Sequence, residues 1–207
     1  MGKTRFWISA AILAGVAAVP VAALAHFILQ EPQSWLTESA LGDPQKAGPC
    51  GGNSKGDNPL TNAVTAVKGG DSIHIKVKET VYHPGHFRIA LSVLSRAELP
   101  ADPEAMTKDG PRGPVSVSGK VDPAPKPPVL VDGIFDHHER QTAQVFETDV
   151  KLPNINCDHC SLQMIQFMEE HGENPEGRFT YHHCADLKIT ANPAMAIDRR
   201  WPGQDRK

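Results

Sequence analysis

A chain of 207 residues with 40% apolar and 22% charged side chains holds enough apolar material for one buried core. Its formal net charge of -3 lacks the basic excess of a nucleic-acid binder, which excludes that class. Gly 17 and Pro 18, with only 6% aromatic residues and no internal repeat, supply turns for many short strands and exclude collagen-like and low-complexity chains.

In chain order, Lys3 and Arg5 precede an Ala-rich apolar run over residues 6–24, and Ala23-Leu24-Ala25 has the small-x-small spacing of a signal-peptidase site. The pattern predicts a signal peptide over residues 1–25, cleavage before His26, a secreted or periplasmic location, and no stable membrane anchor after cleavage. A retained anchor is the alternative, since the run approaches spanning length. In an oxidising compartment Cys50, Cys157, Cys160 and Cys184 default to disulfides, and four cysteines allow three pairings.

Residues 41–62 are rich in Gly, Pro, Asn and Lys and read as a long loop holding Cys50. From Asp71 to Val81, Ile73, Ile75 and Val77 alternate with His74, Lys76 and Lys78, the pattern of a half-buried strand. Tyr82-His83-Pro84-Gly85-His86 reads as a turn, and Phe87, Ile89, Leu91 and Val93 alternate as the next strand. The proline-rich stretch over residues 96–128 has no clear period and reads as an extended surface excursion. Further strands are predicted at Gln144–Lys151, Ser161–Glu169 and Arg178–Thr190, and the polar tail from Asn192 to Lys207 reads as loose. Together these predict an all-β fold, an antiparallel immunoglobulin- or fibronectin-like β-sandwich with long loops, occupying residues 26–191.

Cleavage before His26 gives that residue a free α-amine. An N-terminal His offers the amine and ring Nδ1 to one metal ion, and a second His completes a three-nitrogen site that suits copper. Ten histidines are available, in clusters at His83 and His86, His137 and His138, His159 and His171, and His182 and His183. His83 stands out because it follows a strand and precedes Pro84-Gly85 and a resumed strand, so the turn presents its ring at a sandwich end. Asp136-His137-His138-Glu139 reads as a solvated turn. Cys157-Asp158-His159-Cys160 reads as half a zinc site only if its cysteines are reduced.

His26 after its cleavage signal, the segment His83-Pro84-Gly85-His86-Phe87-Arg88-Ile89, and Tyr181-His182-His183-Cys184 jointly resemble the lytic polysaccharide monooxygenases and their relatives. The resemblance implies a single copper held by His26 through amine and ring and by His83, with His86 in reserve for His83. It implies Tyr181 on the axial position. The family's Gln two residues before that Tyr is Phe179 here, and His183, pointing the same way as Tyr181, is the candidate to replace it. The resemblance also favours Cys50–Cys184 and Cys157–Cys160 as the disulfides. The activity implied is oxidative C–H hydroxylation at glycosidic bonds of a polysaccharide, with an external electron donor and Tyr181 and His183 as catalytic residues.

The competing reading is an exported protein that binds or traffics copper without catalysis, because the mature chain has few Trp and Tyr to stack on sugar rings. A flat face around His26 with Trp35 exposed favours the enzyme, and a recessed site favours the binder. No serine-hydrolase, P-loop or dinucleotide signature stands in a supporting context.

Overall fold

The alternation of Ile73, Ile75 and Val77 with charged neighbours builds the centre of one sheet, because period-2 patterning turns one strand face to the core. The computed structural model describes residues 26–204, apart from Ser54, Lys55, Asp57 and Thr142. The predicted signal peptide therefore lies outside the described residues. Among those residues, no helix is long and apolar enough to cross a membrane.

The strands are β1 (His26–Glu31), β2 (Val64–Lys68), β3 (Ser72–Val81), β4 (Gly85–Ser92), β5 (Ala105–Gly110), β6 (Gly113–Gly119), β7 (Val129–His137), β8 (Val145–Lys151), β9 (Cys157–Met168) and β10 (Thr180–Thr190). They form a three-stranded sheet β1-β3-β8, a five-stranded sheet β2-β10-β9-β4-β7 and a two-stranded β5-β6 hairpin. The fold is thus the expected all-β sandwich. Phe27 and Leu29 of β1 and Ile73, Ile75 and Val77 of β3 meet Phe87, Ile89 and Leu91 of β4, Leu162 and Met164 of β9, and Ala185, Leu187 and Ile189 of β10 in one core. Each fully buried large side chain there contributes about 1.5–3 kcal/mol of apolar burial.

β4 is buried on both faces. Its outer side lies under a second cluster of Cys50, Ala90, Leu99 and Cys184 with Trp35 packed against it. The disulfides are Cys50–Cys184 and Cys157–Cys160, the pairing the resemblance favoured. Cys50–Cys184 spans 134 residues and ties the long loop to the closing strand; in the chain-entropy model such a bridge is worth about 5 kcal/mol. Trp35 locks the same loop by donating its indole N–H to the Cys50 carbonyl at 2.7 Å.

Three features depart from the sequence reading. One pair, β2 with β10, is parallel, so the sandwich is not wholly antiparallel. The proline-rich excursion is partly ordered as β5 and β6, and Ser116, fully buried, fixes it to the body by donating from its hydroxyl to the Met168 carbonyl at 2.7 Å. Short-range periodicity could not show this, since the hairpin is held by long-range bonds of Ser116 and by main-chain pairing such as the Glu173 N–H to the Pro114 carbonyl at 3.2 Å. The tail is also held rather than loose. Trp201 is only 4% exposed, and the Asn154 side-chain amide donates to the carbonyls of Asn192, Met195 and Ala196.

This packing predicts that Trp201→Ala lowers unfolding stability by about 3 kcal/mol, the usual scale for truncating a buried Trp. Urea unfolding of the variant checks it. An unchanged midpoint would mean that the tail contributes nothing.

Candidate metal centre

Strand register brings the two histidines singled out from the sequence to one end of the sandwich, His26 beside Tyr181 and His83 beside His171. β1 runs antiparallel to β3 with His26 opposite Val81, two residues before His83. The chain then turns through Pro84 and enters β4 at Gly85. A Cβ at Gly85 would lie 2.0 Å from the Phe167 carbonyl oxygen, and its φ is +146°, so only glycine lets β4 approach β9 here. Thr180 begins β10 at the same end and brings in Tyr181.

The result is a buried group of rings. His26, His83 and His171 are 3%, 5% and 7% exposed and Tyr181 is fully buried. The His26 and Tyr181 rings stand 5.5 Å apart, and those of His83 and His171 stand 4.9 Å apart, both edge-on. His171 lies 6.3 Å from Tyr181, which closes the group. His26 Nε2 faces Asp43 Oδ2 at 3.4 Å, a carboxylate placed to orient the ring.

The electrostatics suit a cation bound by neutral nitrogens. Burial, with the neighbouring His171, pushes His83 down to about 4, so its imidazole is uncharged at neutral pH. Burial, with His26 and Lys46 nearby, also lowers His171. Burial, with the Asp43 charge, holds the Tyr181 phenol up at about 12, so it keeps its proton. His83 Nδ1 and the Tyr181 hydroxyl are both buried without a hydrogen-bond partner. Each such orphan costs about 1–3 kcal/mol, a cost that a bound ion or water at the site would offset. The residues therefore fit a metal. Among the described residues, no three His, Cys, Asp or Glu side chains stand together to hold an ion. A brace uses two side chains and an amine, and the amine forms only on cleavage before His26.

Behind the rings lies a polar hub. Glu79, 1% exposed, accepts at Oε1 from the His83 main-chain N–H at 3.0 Å, Gln166 Nε2 at 2.8 Å and His137 Nε2 at 3.2 Å. His137 Nδ1 donates to the Phe135 carbonyl at 2.7 Å. Burial pushes His137 down, but the hydrogen bonds to Glu79 and Phe135 outweigh it and its pKa ends above the ordinary value. The solvated-turn reading of Asp136-His137-His138-Glu139 is thus corrected at His137, which ends β7 inside the sandwich, while His138 stays exposed beside Asp136.

His86 and His183 do not join the group. Phe87, Gln166 and Tyr181 form one cross-strand row, whereas His86, Phe167 and Thr180 form the next, and adjacent rows face opposite sides of a sheet. His86 stacks on Phe167 at 5.4 Å on the outer side, so it is no substitute for His83. His183 shares the face of Tyr181 but lies deeper. It donates from Nε2 to the Phe27 carbonyl at 3.0 Å, and its ring packs on Phe27 at 4.6 Å. It is occupied by the core and stands away from the brace. Phe179 is buried, and a side-chain amide, Gln166, stands opposite Tyr181 on the neighbouring strand. The half-zinc reading falls because Cys157 and Cys160 are bonded to each other. Trp35 is half-buried under the Arg96 guanidinium, 3.6 Å from its ring centre, and presents no flat aromatic face.

The sequence reading missed His171, Glu79, Gln166 and Asp43. Glu79 and Gln166 were findable, since each occupies an inward position of an alternating strand where an apolar residue is expected. No comparable signal marks His171 or Asp43, which sit in loops. No protein-family model matches the chain, and no curated protein matches it either.

His183 Nδ1 faces Glu38 Oε1 at 3.0 Å without hydrogen-bond alignment. Burial pushes Glu38 up from 4.5 to about 8 and His183 down from 6.5 to about 3. A raised carboxyl loses stability as pH climbs from its unfolded to its folded value, and a lowered imidazole loses it as pH falls through the corresponding window. The two slopes cancel between pH 4.5 and 6.5, and Glu38 alone acts between 6.5 and 8. Glu38→Gln is therefore expected to remove an alkaline decline of roughly 2 kcal/mol over that last interval. Parallel pH–stability curves for variant and wild type would contradict this.

Proposed function

We propose that the chain is an exported, mononuclear copper protein of the histidine-brace type, in which His26 supplies amine and ring and His83 the second imidazole. The observation that carries the reading is that His26 and His83 stand at one buried sandwich end, linked through the rings of Tyr181 and His171, with the Tyr181 phenol protonated. Two orphaned polar atoms there, His83 Nδ1 and the Tyr181 hydroxyl, support it. The disulfides fit an oxidising compartment outside the cytosol.

Binding or handing on copper is the role favoured. His26, His83, His171 and Tyr181 are all recessed, and among the described residues no Trp, Tyr or Phe is exposed to stack on a sugar ring. Bound copper would supply one-electron chemistry between Cu(II) and Cu(I). The chain's own residues would hold it: His26 and His83 would offer nitrogen lone pairs, Asp43 faces the His26 ring, and Tyr181 stands beside that ring with a protonated hydroxyl.

Polysaccharide oxidation with an external electron donor is the second reading, favoured by one observation. Gln166 sits directly opposite Tyr181 in register, an amide beside the axial phenol, with its Oε1 buried and unpartnered. Mass spectrometry of a glycan panel incubated with the copper-loaded protein and a reductant separates the two. Oxidised oligosaccharides establish the enzyme, and intact glycans leave the binder.

Mature protein beginning at His26 is expected to bind one Cu(II) with sub-micromolar affinity by isothermal titration. An added residue before His26, or His83→Ala, weakens binding by roughly a hundredfold, about 2.8 kcal/mol, while His86→Ala stays within about tenfold. Equal affinity of processed and extended forms, or loss on His86→Ala with retention on His83→Ala, would overturn the brace.

A further inference from the structure

His83 follows the end of β3 and directly precedes Pro84, whose ring leaves no N–H to tether the turn. Something else must fix the ring's place at this end of the sandwich. One buried side chain, Glu79, does so directly, and a second, His137, acts through it. Glu79 Oε1 accepts the His83 N–H at 3.0 Å. The two side chains also bond each other, His137 Nε2 to Glu79 Oε1 at 3.2 Å. Glu79 belongs to β3 of one sheet and His137 to β7 of the other, so the pair fastens the sandwich layers at the point where the His83 turn crosses between them. Gln166 of β9 donates to the same Glu79 oxygen, which aligns the strand opposite Tyr181 with the clamp.

We propose that Glu79 and His137 form a positioning clamp on the His83 peptide that presets the second imidazole of the metal site before the ion arrives. This rests on the brace reading above. Neither side chain is a ligand in it. Their effect on copper passes through the geometry of His83, as expected of groups that orient a ligand from behind.

The test uses mature protein, copper titration and Cu(II) electron paramagnetic resonance. Glu79→Leu keeps volume but removes the acceptor, and should lower Cu(II) affinity at least tenfold and change the copper spectrum. Glu79→Gln retains an acceptor oxygen for the His83 N–H and should stay within about threefold. Because the clamp acts through His83, Glu79→Leu should cause no further loss in a His83→Ala background. A folded Glu79→Leu variant with wild-type affinity and spectrum, or losses that multiply in the double variant, would overturn the clamp. Should Glu79→Leu fail to fold, His137→Phe, which the neighbouring Phe87 and Phe146 rings can receive, carries the same expectations. If wild-type mature protein takes no copper, the brace and the clamp fall together. If His83→Ala releases copper and neither clamp variant does, the clamp alone falls.

Discussion

Everything at the candidate site depends on one pairing: β1 laid antiparallel along β3, with His26 opposite Val81. A slip of one residue would send Phe27 and Leu29 to solvent, because side chains alternate across a strand, and the register shift between His26 and Phe27 is what lets both neighbours stay buried. The pairing is enforced from both sides. Phe27 and Leu29 are buried against the opposite sheet, and the Phe27 N–H donates to Gln45 Oε1 at 3.1 Å, tying the edge strand to the long loop. Gly42 admits that loop, since a Cβ there would lie 1.9 Å from the Phe27 carbonyl oxygen.

The sandwich is apolar along most of its length and polar at this one end. Ile73, Ile75 and Val77 give way to Glu79 along β3, and Leu162 and Met164 give way to Gln166 along β9. Buried polar groups cost stability unless paired, so a concentration of them at one end is retained for what it positions. Here Glu79 gathers three hydrogen bonds on one oxygen, while His83 Nδ1 and the Tyr181 hydroxyl are left unpaired. The opposite end is closed by Trp201 and the Asn154 clasp, which leaves the polar end as the part built for chemistry.

Much of this was readable in the residues. The sequence pattern announced β3, β4, β8, β9 and β10, and the expectation of export implied disulfides, which the bonded pairs fulfil. β1, β2 and β7 were not read out, because each is a short or bulged strand whose partners lie far away in sequence. The His83–Gly85 turn was legible because glycine is obligatory where β4 approaches Phe167, and it places His83 beside His171. His86 was misplaced because a turn interrupts parity, and only cross-strand register shows that it faces outward. His183 shared the right face, but depth along a strand is invisible without knowing which core residue it meets. Glu79 shows the general lesson: a charged residue at an inward strand position, in line with Ile73, Ile75 and Val77, is a signal in itself.

Electron–nuclear resonance on Cu(II)-loaded mature protein grown with isotopically labelled histidine addresses the central claim most directly. Two coordinated imidazoles and one further directly bound nitrogen, with one imidazole signal lost in His83→Ala and the other assigned to His26, is the predicted result. A bound copper ion with one imidazole or none, or with both imidazole signals intact in His83→Ala, would contradict it.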